Sequence, residues 1–222
     1  MKEVGMRRRI LQVLAAVCAA WPVVGMAQAR TDAIYITDED VKAVLKYAAD
    51  MKRTIPDNSI RVLDMGAYQL SVGIVHRGAT GAPAAPAAAG ANPPAAPANP
   101  QPPCGEPRTG AKGPNGIAHD DTAETYIVTS GRGTLITGGT IVNGRRSAAA
   151  SEVTTILNGP SCSGTMVGYT SREIKVGDII VIPERVPHGF TSIPDHITYL
   201  SVRPDVKKVL QSGYVNPALT KR

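Results

Sequence analysis

Residues 116–133 read GIAHDDTAETYIVTSGRG. His119, the carboxylates of Asp120, Asp121 and Glu124, and a tyrosine crowd into a short run that turns strand-like and stops at glycines 131 and 133. Two readings compete: a polar loop entering a strand, or a metal-ligand pair formed by His119 and Glu124. The neighbouring sequence bears on the choice. From Ile117 to Leu200 the chain is a series of short β-rich runs separated by glycine turns: ETYIVTSG, GTLITGGTIVNG, EVTTILNG, GTMVGYTSREIKVGD, DIIVIPERVPHGF and HITYLSVRP. Spacing this regular predicts an all-β sandwich or barrel.

Upstream, TDEDVKAVLKYAAD (Thr37–Asp50) predicts a helix. Thr37 and Asp40 form a capping box, acids fill the first turn, and Val41, Val44, Leu45 and Ala48 share a face. Ser59–Gly66 and Tyr68–Gly78 are strand candidates bounded by turn residues. The composition then shifts: residues 79–115 contain APAAPAAAGANPPAAPANPQPP, with almost no charge and nothing to build a core, which predicts a disordered insertion between two strands. After Pro204, DVKKVLQSG predicts a short C-terminal helix ended by Gly213. The expected organisation is an export signal over 1–29, a helical arm over 30–58, a β-domain over 59–204 and a helix and tail over 205–222.

The first residues carry a basic start (MKEVGMRRRI), an apolar stretch (LQVLAAVCAAWPVVGM) and the small-x-small site Ala27-Gln28-Ala29. This pattern predicts a secretory signal, hence a periplasmic or secreted protein with no membrane attachment once the signal is removed. Its removal takes Lys2, Arg7, Arg8, Arg9 and Glu3, leaving 20 basic against 17 acidic residues and lowering the net charge from +6 to +3. No dense basic run remains and the few aromatics are not interleaved with basic residues, which excludes nucleic acid as an expected partner. Cys104 and Cys162 survive; in an oxidising compartment they either form one disulfide or stay as free thiols.

A second run completes the pattern. Gly177 is followed after five residues by Pro183, then Glu184, Arg185, Val186, Pro187 and His188. With His119, four residues, Glu124, six residues and Gly131, this resembles the two motifs of the cupin superfamily over about Val62 to Val202. The resemblance implies a double-stranded β-helix, a jelly-roll barrel that here carries a short N-terminal helix and a C-terminal helical tail. Three positions depart from it. Ile117 occupies the place of the first motif's leading histidine, Arg185 replaces a glycine and Ser192 stands where asparagine is expected.

The implied ligand set therefore shrinks from three histidines and a glutamate to His119, Glu124 and His188, which suits a divalent ion such as Fe, Mn or Zn with positions left open. His76 or Asp121 (less so Asp120) are candidates for a fourth ligand; His76 qualifies only if the face shared by Val72, Ile74 and His76 is the inner one. The alternative is a metal-free polar pocket, each member paired by other hydrogen bonds. Tyr126 shares a strand face with Glu124, and Phe190 with His188, so both are expected to line the cavity. Tyr126 is the candidate for a substrate contact or proton donor. The resemblance implies an exported metal-binding protein acting on a small organic molecule by dioxygenase, isomerase, decarboxylase or lyase chemistry, or else a non-catalytic small-ligand binder. It also implies a homodimer.

Overall fold

The computed structural model describes residues 32–81 and 101–220. The export signal expected at 1–29 and the Pro/Ala-rich run over 82–100 lie outside the described residues. Helix α1 (Asp38–Asp50) begins at the expected cap: Thr37 Oγ1 accepts from Asp40 N (3.2 Å), and Asp40 Oδ2 accepts from Thr37 N (3.1 Å). Its apolar face lays the fully buried Val44 against Ile60 and Ile74.

Ile60 and Ile74 belong to strands β1 (Asp57–Asp64) and β2 (Gln69–Gly78). The remaining strands are β3 (Pro103–Cys104), β4 (Asn115–His119), β5 (Glu124–Thr137), β6 (Thr140–Arg146), β7 (Ser161–Val167), β8 (Thr170–Lys175), β9 (Ile179–Ile182), β10 (His188–Ser192) and β11 (His196–Asp205). Every strand pairing is antiparallel. One sheet runs β1-β2-β11-β5-β9 and the other β8-β5-β10-β4-β7-β6-β3. The result is a jelly-roll sandwich of the double-stranded β-helix type rather than a closed barrel. Its strands fall on the glycine-punctuated runs except EVTTILNG, where Val153–Leu157 form a π-helical turn closed by the Asn158 amide on the Val153 carbonyl instead of a strand.

β5 belongs to both sheets. Its first half pairs with β11 and β9, and from Arg132 onward it pairs with β8. The switch occurs at Gly131, where φ is 71° and a Cβ would stand 2.0 Å from the His196 carbonyl oxygen. Only glycine fits a left-handed backbone that close to another chain segment. Between the sheets lies an apolar core that includes Val75, Val128, Leu135, Ile174, Ile182 and Ile197, with Tyr126 and Tyr199 at its edge toward the buried polar site.

Two further sequence expectations need correction. The stretch 79–115 is not structureless at its C-terminal end: β3 pairs with β6, and Cys104 is bonded to Cys162. The helix expected over Asp205–Gly213 does not form. β11 runs on to Asp205, whose carboxylate accepts from Val209 N (3.0 Å) and Leu210 N (2.8 Å), and Lys208 takes φ 53°. The side chain of Asp205 thus satisfies the amides that a helix would use, and the chain turns instead. The only helix here is one turn, α2 (Pro217–Thr220).

Candidate metal centre

Alternation along the strands sets which side chains face the interior. β5 turns Glu124, Tyr126 and Val128 inward, β10 turns His188 inward, and β4 contributes His119. His119, Glu124 and His188 are only 2–4 % exposed. Their ligand atoms lie within 4.8 Å of one another: His188 Nε2 is 3.0 Å and His119 Nε2 3.3 Å from Glu124 Oε2. The loop between β9 and β10 is fastened to the first motif, because Arg185 N donates to the His119 carbonyl (2.7 Å).

The far ring nitrogens decide what these imidazoles can do. Ser161 Oγ donates to the Gly159 carbonyl (2.8 Å), so its oxygen can only accept from His119 Nδ1 (2.8 Å). His188 Nδ1 faces the Val186 carbonyl (3.0 Å), which also only accepts. Nδ1 is therefore the donor in both rings, and both Nε2 atoms face Glu124 Oε2. Burial pushes the His119 imidazole below its ordinary pKa more than the neighbouring Glu124 raises it, which keeps that ring neutral. Acceptors that converge in a dry site repel one another unless a cation lies between them. The residues present thus fit a divalent metal ion.

Glu124 stays ionised. Burial alone would raise its carboxyl, but the Arg203 guanidinium beside it helps hold it well below the usual range. Arg203, 1 % exposed, places Nε 2.7 Å from Glu124 Oε1 and Nη2 2.5 Å from Asp57 Oδ2. Ser201 Oγ donates to the same Oε1 (3.0 Å), so this oxygen is committed to the protein and Oε2 is left for the cluster. Tyr126 donates its hydroxyl to Oε2 (2.8 Å); burial and the Glu124 charge hold that phenol well above its ordinary pKa, so it is a donor throughout the physiological range.

The structure brings together His119, Glu124, His188 and Tyr126, but not the other ligand candidates. In β2 the inward face carries Val75 and Arg77, while Ile74 packs under α1, so His76 points outward and its Nδ1 meets Thr198 Oγ1 (2.8 Å). Asp121 pairs with Lys207, and Asp120 with Arg146. Phe190 is half-buried, stacked on Tyr199 (6.0 Å between centroids) and capped by Arg77 (5.4 Å). Two adjoining cavities share Arg77, Ile117, Tyr126 and His188: one of about 170 Å³ that also reaches His119, Glu124 and Asn158, and one of about 410 Å³ bounded by Phe190. A larger cleft of about 520 Å³ at Asp120, Asp121 and Arg146 contains none of the three cluster residues and is not the site.

Arg203, Asp57, Asn158, Ser161 and Arg77 escaped the motif reading. Arg203 had a signal, since Tyr199, Ser201 and Arg203 alternate on the inner face of β11 and a buried arginine demands carboxylate partners. Asn158, after an irregular segment, had none.

Fold and cluster define the class: a cupin-type jelly roll with a buried His/Glu/His centre. No protein-family model matches the sequence, and no curated protein matches it. Among solved structures the chain is similar to the DMSP lyase DddQ from Ruegeria pomeroyi DSS-3 (10% identity, TM-score 0.29, 60% of this chain and 37% of that one). It is also similar to an RmlC-like cupin family protein with a double-stranded β-helix fold from Methanocaldococcus jannaschii (11%, 0.34, 81% and 96%) and to the polyketide cyclase RemF from Streptomyces resistomycificus (15%, 0.30, 67% and 65%). The chain thus spans little more than a third of the first and nearly all of the second. Identities this low carry no residue roles across.

Proposed function

We propose that this is an exported, metal-binding cupin-fold enzyme acting on a small organic molecule, with dioxygenase, isomerase, decarboxylase or lyase chemistry as the candidate reactions. The observation that carries the reading is the convergence of two buried imidazole Nε2 atoms on the Glu124 carboxylate, with each Nδ1 held by an oxygen of the protein. A divalent ion held by His119, Glu124 and His188 would supply Lewis-acid or redox chemistry at the cavity floor. The chain's own groups complete the pocket. Tyr126 holds a proton at its hydroxyl beside Glu124, Arg77 presents a cation where the two cavities meet, and Ile117, Val75 and Phe190 exclude water around them. Small size and a guanidinium at the entrance favour a substrate with an anionic substituent. Export rests on the N-terminal sequence pattern and accords with the Cys104–Cys162 bond. A homodimer belongs to the same proposal, with the exposed Ile179 and Val181 of β9 as its apolar surface; a monomeric mass by light scattering at high concentration would refute it.

The second reading, a ligand binder without metal, draws on Arg203, which neutralises Glu124 from within the protein. Metal analysis separates the two. The purified mature protein is expected to carry about one divalent ion per chain, and His188→Ala and Glu124→Gln to lose it. No metal in the parent after exposure to Fe(II), Mn(II) and Zn(II) sinks the enzyme reading.

A further inference from the structure

The segment leading to Asn158 is a single π-helical turn, Val153–Leu157, closed by the Asn158 amide on the Val153 carbonyl (2.9 Å). Such turns recur at functional sites because they rotate one side chain out of register. Leu157 anchors the turn at 1 % exposure, and Thr122 Oγ1 donates to the Asn158 carbonyl (2.6 Å). The Asn158 side chain is buried in the wall of the small cavity.

Hydrogen-bond complementarity orients its amide. With Nδ2 toward β1, it donates to Asp57 Oδ2 (3.0 Å) and to the Leu157 carbonyl (3.2 Å); the reverse orientation would press Oδ1 against those two acceptors. Oδ1 then stands 2.7 Å from His119 Nε2, a contact closed by an Nε2 proton when the ring is an imidazolium and by a metal ion when the ring is neutral. In the neutral ring that nitrogen carries a lone pair, since its partner Nδ1 gives its proton to Ser161. Two acceptors in hydrogen-bond contact with no proton between them need a cation. It is the same cation that Glu124 Oε2 and His188 Nε2 need.

Building on the metal reading above, we propose that Asn158 Oδ1 is the fourth protein ligand of the centre, supplied from the π turn because Ile117 in the first motif cannot ligate. The donor set is then two imidazole nitrogens, one carboxylate oxygen and one amide oxygen. It carries a single negative charge and is harder than three histidines and a glutamate, which favours Fe(II), Mn(II) or Zn(II) over softer ions. Asp57 acquires a role through this arrangement: it holds the amide with its right end outward while pairing with Arg203.

The test uses chelator-treated full-length mature protein titrated with Co(II), read by visible absorption and by competition with a chromophoric chelator. Asn158→Leu is expected to weaken Co(II) tenfold or more and to move the absorption band. Asn158→Asp keeps an oxygen ligand and adds charge; it is expected to bind at least as tightly as the parent, also with a moved band. Should Asn158→Leu fail to fold by circular dichroism, Asn158→Asp alone decides through the band position. Parent affinity in Asn158→Leu, or an unmoved band in whichever variant folds, overturns the assignment while leaving the three-residue centre standing. A parent that binds no Co(II) overturns both.

Discussion

Arg203→Met tests the electrostatic logic of the site. Met matches the aliphatic length of arginine but removes the guanidinium, and with it the bond to Glu124 Oε1 at 2.7 Å and to Asp57 Oδ2 at 2.5 Å. At 1 % exposure, water cannot replace those bonds. Breaking a buried pair by removing one partner costs about 3–5 kcal/mol, because the other charge stays buried and uncompensated. Here two carboxylates lose their guanidinium at once, so the upper half of that range is expected. For a domain of this size it corresponds to a melting temperature lower by roughly 10–20 °C. The pH profile gives a second reading. Glu124 is held below its ordinary value of 4.5 in the folded protein, so it contributes stability above that pH, and the contribution is lost as pH falls through the lower folded value. Without Arg203 the burial that opposes ionisation prevails, and acid destabilisation begins at higher pH. A divalent ion at about a hundredfold its Kd should restore roughly 2.7 kcal/mol by mass action if the centre still binds it. Urea unfolding of metal-free protein from pH 4 to 8, with and without added Mn(II), makes the measurement. A variant within about 1 kcal/mol of the parent at pH 7, with an unmoved acid limb, would refute the claim that Arg203 holds Glu124 ionised.

Three further outcomes follow from single features. The Cys104–Cys162 bond closes a loop with a sequence separation of 58, and chain entropy assigns it about 4 kcal/mol; the Cys104→Ser, Cys162→Ser double variant should lose that much in urea unfolding, less any residual structure in the reduced chain. Gly73 leaves room for the buried pair, since a Cβ there would lie 3.0 Å from Arg203 Nη1 and 3.3 Å from Asp57 Oδ1; Gly73→Ala should cost about 1–3 kcal/mol and weaken metal binding together with stability, and a neutral effect on both would count against the cradle. Arg185 is exposed and takes φ 64°, so Arg185→Gly should relieve left-handed strain and raise stability by ~1 kcal/mol without changing metal content; a loss of stability would show that its side chain contributes something the backbone argument omits.

The alternation of β-branched and turn residues, and the spacing of His119, Glu124 and His188, made the fold and three cluster residues legible in the sequence, because these depend on local periodicity and on motif geometry. Arg185 shows how a departure reads in structure: the backbone keeps the left-handed turn that the motif's glycine provides, and a non-glycine residue bears the strain. The misreadings have a common cause. His76 was ambiguous because strand alternation fixes only which residues share a face; which face is inner was settled by α1, which packs on Ile74 and turns Val75 and Arg77 inward. The helix expected after Pro204 failed because Asp205 gives its carboxylate to two backbone amides, a side-chain choice that propensity does not record. The Cys104–Cys162 disulfide is no misreading: it is one of the two outcomes the sequence leaves open, and β3 joining β6 beyond a long run of proline and alanine accompanies it.

Ile117 gives the departures from the motif a single physical account. It pairs directly with His188 across β4 and β10 and lines both cavities, so the position of the absent histidine is an apolar wall beside the cluster. The polar groups around the cluster come from other elements: Arg203 and Ser201 of β11 bond Glu124, Asp57 of β1 pairs with Arg203, and Asn158 of the π turn meets His119. The charge of Glu124 is thus compensated inside the protein by Arg203, while Ile117 adds apolar surface to the wall of the same cavity. Under the proposed function, the ligand that fits such a wall is a small molecule offering one polar group toward Tyr126 or Arg77 and apolar surface toward Ile117 and Phe190.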